Sequence, residues 1–387
     1  MRLAVIETAP RGGLLHYAAQ LAEALSERGH EVDLITARGH ELERAPGAVR
    51  VRDVLPAAVR SPSEPPTGWR YVVRRAGIAT RVVLASLRTL TEVVRGKYDA
   101  VLLVDDLSVA PAAAGAWLLT WLPGGPRIAA VCHEPRPRSR RDGDDLYQGS
   151  RPLLAFLRLL YPRLHVVFVH GEESRKQFEE TWPPSRVEII PHGDERILAG
   201  DPPPPSTEER VLFFGEWRRA KGLHVLTEAF DKLVERRPDA RLTIAGVPTP
   251  DVEPDQVRAW AAKYDGHVTL IDDYVPMSDV RDVFASARVV ATPYIAGSQS
   301  GVVHLAMTMQ RAVVASDVGE LPTAVQDGIT GRVVAGGDAD ALCDALEQVV
   351  ADPVLAAELG AAGRDRVLSE FGWERVAEHV DAALAPE

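Results

Sequence analysis

The sequence predicts an α/β protein built from two doubly wound parallel sheets, and three observations carry that reading. Apolar, β-rich runs alternate with amphipathic helical periods through both halves of the chain. A proline run at residues 201–205 interrupts the alternation near the middle. The two halves also differ in charge: residues 1–190 carry 26 Lys and Arg against 22 Asp and Glu, and the remainder 18 against 33.

At 387 residues the chain exceeds one ordinary core and fits two or three domains. Its net charge of −11 argues against bulk nucleic-acid binding. No run of eighteen or more apolar residues occurs, and the opening MRLAVIETAPRGG passes directly into a strand pattern, so a cytoplasmic location is expected. Cys132 and Cys343 stand far apart without metal-ligand neighbours at usable spacing, and neither a disulfide framework nor a zinc site is expected.

In the first half, RLAVIE reads as a buried strand. An amphipathic helix follows from about 14 to 28, its apolar face formed by Leu14, Tyr17, Ala18, Leu21 and Leu25 and its end marked by Gly29. EVDLIT is the next strand, which completes a strand–loop–helix–strand unit of a parallel sheet. Residues 61–68 are a Pro-rich loop. From 70 to 95 a long helical period interleaves six arginines with Val, Ile, Leu and Ala. It reads either as an exposed helix packing its apolar face on the sheet, or as a basic face for an anionic membrane surface or charged acceptor. Further strands are expected at 100–104, 127–132, 165–170 and 187–190.

Residues 201–205 read as a stiff spacer, and the domain boundary is set at 198/199. In the second half strands are expected near 210–214, 241–246, 268–271, 288–292, 312–316 and 331–334, with final helices near 353–370 and 373–385. Two such domains imply a cleft between the carboxyl ends of their strands, where ligands bind in parallel sheets.

Four loops at strand ends carry informative chemistry. In VLFFGEWRRAKGLHVLTEAF, residues 211–230, Arg218, Arg219 and Lys221 lie between a strand end and a helix whose register is set by Leu223, Leu226, Phe230 and Leu233. A helix start has unpaired N–H groups and the positive end of the dipole, which favours phosphate; the alternative is a merely solvated turn. The loop Pro10-Arg11-Gly12-Gly13 lets backbone amides approach a phosphate or sugar, but Leu14, Leu15 and His16 depart from the G-x-G-x-x-G dinucleotide pattern. In VCHEPRPR, residues 131–138, His133 stands at a strand end, suited to hydrogen-bond a substrate hydroxyl. The charged stretch that follows is expected to close over an acceptor. The fourth loop, TPYIAGSQSGVVHLAM, residues 292–307, leads into a helix near Gly301 with Ser300 or Ser298 as its expected cap. Two helix starts and a cation pair suit a diphosphate.

Taken in order, PRGGLLHYAAQLAEALSERGHEVDLIT, His133, IIPHGD, FFGEWRRAKGLHVLTEAF, SQSGVVHLAM and VVASDVGELPTAVQDGITGRVV make the chain resemble the retaining, nucleotide-sugar-dependent glycosyltransferases of family 4, with the GT-B fold: two Rossmann-like domains facing across a cleft. The resemblance implies an acceptor-binding domain at 1–198, a nucleotide-sugar-binding domain at 199–370, and a C-terminal helix, 371–387, that packs back on the first. It implies catalytic roles for Arg218, Lys221 and His133, and donor contacts from Gly12, Gly13, Gly215, Gln299, Ser300, Gly301 and Val302. Acceptor contacts are expected from His16, Glu134, Arg136 and Arg138.

Two departures stand out. Where family members often carry Arg directly after the glycine, this chain has Glu216, and Arg218 follows two residues on, as in a sub-branch reading G-x-x-R-x-x-K-G. The family's paired glutamates fall on Ser298 and on Ala306 or Leu305, and no Asp or Glu occurs from Val283 to Ser316. Ribose binding is left unassigned.

The resemblance implies front-face transfer to a hydroxyl acceptor (a glycan, a lipid-linked acceptor, an aminocyclitol or a natural-product scaffold) with no metal and no cofactor beyond the donor. Peripheral membrane contact through helix 70–95 is the further partner expected. A non-catalytic sugar-nucleotide-binding subunit and a sugar-nucleotide epimerase are the competing readings.

Overall fold

A computed structural model describes residues 1–43, 45–56, 69–104, 113–136, 151–183, 185–204 and 206–385. The chain divides into two compact units. One holds the described residues up to Pro191 together with those from Trp373 onward, and the other runs from His192 to Gly372.

In chain order the first unit contains β1 (Arg2–Ile6), α1 (Gly13–Glu27), β2 (Glu31–Ala37), β3 (Arg50–Leu55), α2 (Trp69–Gly96), β4 (Ala100–Leu103), α3 (Ala113–Leu119), β5 (Arg127–Val131), α4 (Arg151–Leu160), β6 (Val166–Val169), α5 (Glu172–Thr181) and β7 (Val187–Ile189). Its seven strands are ordered β3-β2-β1-β4-β5-β6-β7, and every pairing is parallel. The central strands are short apolar runs such as AVLL and VVFV with no exposed residue, as expected when helices cover both faces. Strand β3 was not foreseen from the sequence. It is an edge strand, RVRDVL, which pairs only with β2 and keeps charged side chains toward solvent, so it lacks the apolar run that marks the others.

The second unit contains α6 (Arg196–Ala199), β8 (Arg210–Phe214), α7 (Leu223–Arg236), β9 (Arg241–Ala245), α8 (Pro254–Ala261), β10 (Val268–Ile271), α9 (Met277–Ala285), β11 (Val289–Thr292), α10 (Gly301–Thr308), β12 (Ala312–Ser316), α11 (Leu321–Ala324), β13 (Arg332–Val334), α12 (Ala339–Ala351) and α13 (Pro353–Glu370). Its parallel sheet is ordered β10-β9-β8-β11-β12-β13. On α7, Leu223, Leu226, Phe230 and Leu233 are buried, which fixes this helix on the sheet face beside β8.

The last helix, α14 (Trp373–Leu384), belongs to the first unit. There Asp381 forms an ion pair with Arg28 at 3.2 Å and lies 3.0 Å from Nε2 of His30, and the ring of Trp373 meets Tyr17 of α1 edge-on at 4.9 Å.

The proline-rich segment is tied down rather than free. The carbonyls of Pro203 and Pro204 accept from Nη2 of the buried Arg311 at 3.1 and 2.7 Å, and Arg311 Nε donates to Phe284 O. Arg281 adds a bond to Asp201 O. These bonds hold the segment along the second unit, so the division falls at 191/192, ahead of the prolines. Among the described residues, no helix is long and apolar enough to cross a membrane.

Candidate functional site

In the second unit the sheet reverses direction of winding between β8 and β11, and the loops after these two strands flank the switch point where parallel sheets bind ligands. The loop after β8 is anchored by Trp217, fully buried, whose N–H donates to Val247 O and whose carbonyl accepts from Thr249 Oγ1. Beyond it the N–H of Arg219 donates to Asp251 Oδ2 at 2.9 Å, and a 3₁₀ turn, Arg219–Lys221, leads into α7.

Gly222 ends that turn at φ +69°. A Cβ there would stand 1.7 Å from the carbonyl oxygen of Pro293, so only glycine lets the two loops meet. The N–H groups of Ile295 and Ala296 both donate to Ala220 O, which completes the seam.

The seam positions the predicted donor groups together. The ammonium of Lys221 lies 3.9 Å from the centroid of the Tyr294 ring, and Tyr294 Oη is 2.8 Å from Ser300 Oγ at the start of α10. A Cβ on Gly215 would stand 3.8 Å from Val302 Cγ2. Gly215, Lys221, Ser300, Gly301 and Val302 therefore share one region, with Gln299 half-buried beside them. Ser300 occupies the N-cap position, but its side chain makes no capping bond; Tyr294 takes the hydroxyl instead, which corrects the expectation that Ser300 caps α10 through its side chain.

Arg218 Nε is 2.7 Å from Glu216 Oε2. Glu216 is half exposed, and such a pair is held by no more than about 1 kcal/mol. Arg219 is exposed, with only its backbone engaged among the bonds above.

Two buried histidines not singled out from the sequence meet here, His304 of α10 itself and His192 of the segment after β7. His192 and His304 stack at 4.6 Å between ring centroids, 24° from parallel. Burial pushes His192 down to about 4; burial, and then the neighbouring His192, holds His304 well below the usual imidazole range. The Glu195 N–H donates to Thr308 Oγ1, so the segment after β7 is pinned to α10.

In the first unit the corresponding switch point lies between β1 and β4. Gly12 precedes α1 at φ +96°, and Glu41 Oε1 accepts from its N–H at 2.7 Å and lies 2.8 Å from His16 Nε2. His16, expected at the acceptor, is 4% exposed and faces Glu41, where it braces the glycine loop. Open space surrounds the positions a Cβ would take on Gly12 and Gly13.

His133 follows β5, 8% exposed, with Nδ1 3.1 Å from Nε2 of His170 at the end of β6. Tyr17 stands edge-on to His133 at 4.7 Å and to Trp373 at 4.9 Å. The rest of that loop is fastened to α5 and the residue after it: Trp182 Nε1 donates to Pro135 O at 2.7 Å, and Arg136, expected at the acceptor, is paired with Glu180. Glu134 is half-buried, and Arg138 lies outside the described residues.

Two family profiles match the chain in succession: glycosyltransferase family 4 over residues 11–193 and glycosyl transferases group 1 over residues 208–352. The chain belongs to the family 4 glycosyltransferases. It is similar to an α-maltose-1-phosphate synthase of Mycolicibacterium smegmatis, 33% identical over 220 residues, which are 50% of this chain and 55% of that protein. It is also 27% identical over 396 residues to a D-inositol 3-phosphate glycosyltransferase of Mycobacterium avium, covering 98% of this chain and 89% of the relative. Against the synthases the chain spans about half the relatives' length.

Among solved structures, sucrose-phosphate synthase from Thermosynechococcus elongatus aligns with a TM-score of 0.71 at 20% identity, covering 98% of this chain and 97% of that one. Anabaena Alr3699/HepE, solved with UDP and glucose, aligns at 0.69 and 16%, covering 99% of each chain. The two parallel-sheet units of this family 4 glycosyltransferase are those of the GT-B class.

Ser298, Leu305 and Ala306, the positions onto which the resemblance set the family's glutamates, are all buried. Tyr294, Glu41, His170, His192 and His304 were not singled out from the sequence. Tyr294 lies inside the quoted TPYIAG stretch, yet its pairing with Lys221 has no local signature. Among the described residues, no group of three or more His, Cys, Asp or Glu side chains is placed to hold a metal ion.

Proposed function

We propose that this protein is a retaining glycosyltransferase that moves a sugar from a nucleoside-diphosphate sugar to a hydroxyl acceptor. The observation that carries the reading is the meeting of Lys221, Gly215 and the start of α10 at the β8/β11 switch point, with Arg218 on the same loop as Lys221, because that constellation suits a diphosphate.

In this reading the second unit holds the donor. Lys221, Arg218 and the N-terminus of α10 take up the negative charge that develops as the bond between the anomeric carbon and the β-phosphate oxygen breaks. The acceptor hydroxyl attacks from the same face, and its proton passes to the departing phosphate oxygen. The cations and the helix start do the work a divalent ion would otherwise do, so the reaction is metal-independent. Backbone amides at Gly12 and Gly13 approach the donor phosphate, and His133 contacts the transferred sugar. Glu134, Arg136 and Arg138 are assigned to the acceptor, and His16 to bracing the glycine loop. The reading places the protein in the cytoplasm, with peripheral contact between α2 and the membrane's inner face.

Titration of the purified chain with UDP, GDP, ADP and dTDP, followed by hydrolysis of nucleotide sugars of the tightest-binding base, tests the reading. Slow hydrolysis is expected. Tight nucleotide binding with no hydrolysis supports a sugar-nucleotide-binding subunit instead, and isomerisation of the donor without acceptor supports an epimerase.

A further inference from the structure

Exposed apolar side chains are concentrated on one face of the first unit. Of the eleven large hydrophobic residues more than a third exposed among the described residues, eight lie on α2, α3 and α4 or the turn after α3. Scattered exposed apolar residues are ordinary, but a contiguous patch marks an interaction surface.

The patch is continuous. On α2, Val83, Leu87 and Val94 fall on one stripe, 54–56% exposed. The adjoining edge of the helix holds Ser86, against which Gly115 of α3 packs so closely that a Cβ would stand 2.7 Å from the Ser86 carbonyl oxygen. From α3 the surface continues through Leu118 and the turn residues Trp121 and Leu122, 46–55% exposed. Trp117 joins α3 to α4 by ring contact with Phe156 at 6.1 Å, and Leu159 of α4 is 61% exposed.

Its charge is one-sided. In a chain of net charge −11, α2, α3, α4 and the following residues to Arg163 hold nine arginines and a single acid, Glu92. Glu92 is mostly buried and paired with Arg52, so it does not offset them at the surface. Arg95 and Arg158 are exposed, and the guanidinium of Arg163 lies 3.5 Å from the centroid of the exposed Trp121 ring. Apolar side chains with an interfacial Trp among arginines, and no free acid among the described residues of these helices, match a phosphate-rich bilayer surface. A second copy of the chain on the same face would set arginines against arginines.

We infer that the α2–α3–α4 face docks on a bilayer containing anionic phospholipid. Trp121, Leu122 and Leu87 enter the boundary between headgroups and acyl chains, and Arg95, Arg158 and Arg163 meet lipid phosphates. This takes further the membrane contact of α2 in the proposed reading and is independent of the donor chemistry assigned to the second unit.

The test is co-sedimentation of the full chain with phosphatidylcholine vesicles and with phosphatidylcholine–phosphatidylglycerol vesicles. Binding to the mixed vesicles alone, weakened by added salt, is expected. The pair of substitutions Arg95→Glu and Arg158→Glu is expected to lower that binding by roughly thirtyfold or more, and Trp121→Ser with Leu122→Ser to abolish it. Equal binding to neutral vesicles, no binding to either, or a wild-type dimer that the Trp121→Ser, Leu122→Ser pair dissociates would each overturn the inference. Nucleotide-sugar hydrolysis without vesicles is followed in parallel: both pairs of substitutions should leave it unchanged. Its absence in a wild-type protein that still binds mixed vesicles counts against the transferase reading and not against the surface.

Discussion

The ammonium of Lys221 sits 3.9 Å from the centre of the Tyr294 ring, and the hydroxyl of that ring is 2.8 Å from Ser300 Oγ at the start of α10. One aromatic side chain thus fixes both a cation and a helix terminus.

If those groups stabilise a departing diphosphate, Lys221→Ala and Arg218→Ala should each lower turnover about a hundredfold, the scale of one lost preorganised charge contact. Tyr294→Phe keeps the ring and should cost only a few-fold, whereas Tyr294→Leu removes the cation's seat and should cost about tenfold. Steady-state donor hydrolysis measures all four. Near-normal turnover in both cation variants would sink the assignment.

Gly222→Ala places a methyl group against the Pro293 carbonyl at a backbone angle of φ +69°, and no rotamer relieves that clash. Turnover should fall at least as far as in Lys221→Ala, with a stability loss of more than about 1 kcal/mol. Gly328, also at positive φ but with nothing within 4 Å, is the control: Gly328→Ala should cost about 1 kcal/mol and leave the kinetics alone.

Nε2 of His170 lies 3.1 Å from Nδ1 of His133, so the tautomers of the two rings are coupled through that contact. His170→Phe is expected to lower kcat about tenfold with donor affinity little changed, and His170→Gln, which retains an N–H near the same place, to restore most of it. Equal losses in both variants would mark His170 as packing only.

His192 and His304 are held neutral by burial. Below the usual imidazole value of 6.5 the unfolded chain takes up protons that the native rings refuse, so stability should fall as pH drops from about 6.5 toward about 4. Each ring contributes up to about 1.4 kcal/mol per pH unit across that window. Urea midpoints at about pH 7.5 and about pH 5 measure the slope, and His304→Leu should flatten it. A variant slope as steep as the wild type's would assign the effect to other groups.

Much of the fold was legible because its signals are local. The run Val211–Phe214 and the spacing of Leu223, Leu226, Phe230 and Leu233 define β8 and α7 without reference to any distant residue. The edge strand β3 escaped because solvent on its outer side permits charges where a central strand needs Val or Leu. Asp201–Pro204 reads as a spacer from composition, and only the buried guanidinium of Arg311, more than a hundred residues away, ties it to the second unit.

The same distinction governs the site. The sequence by itself determined that Arg218 and Lys221 lie between a strand end and a helix start, and that His133 and Gly301 lie at strand and helix termini, because chain period and turn chemistry act over a few residues. Tertiary structure alone decided that Lys221 rests on Tyr294, that His16 turns to Glu41, and that His133 meets His170. These partners are brought together by strand order and loop approach, and a side chain's partner depends on which loops the sheet makes adjacent rather than on its neighbours along the chain.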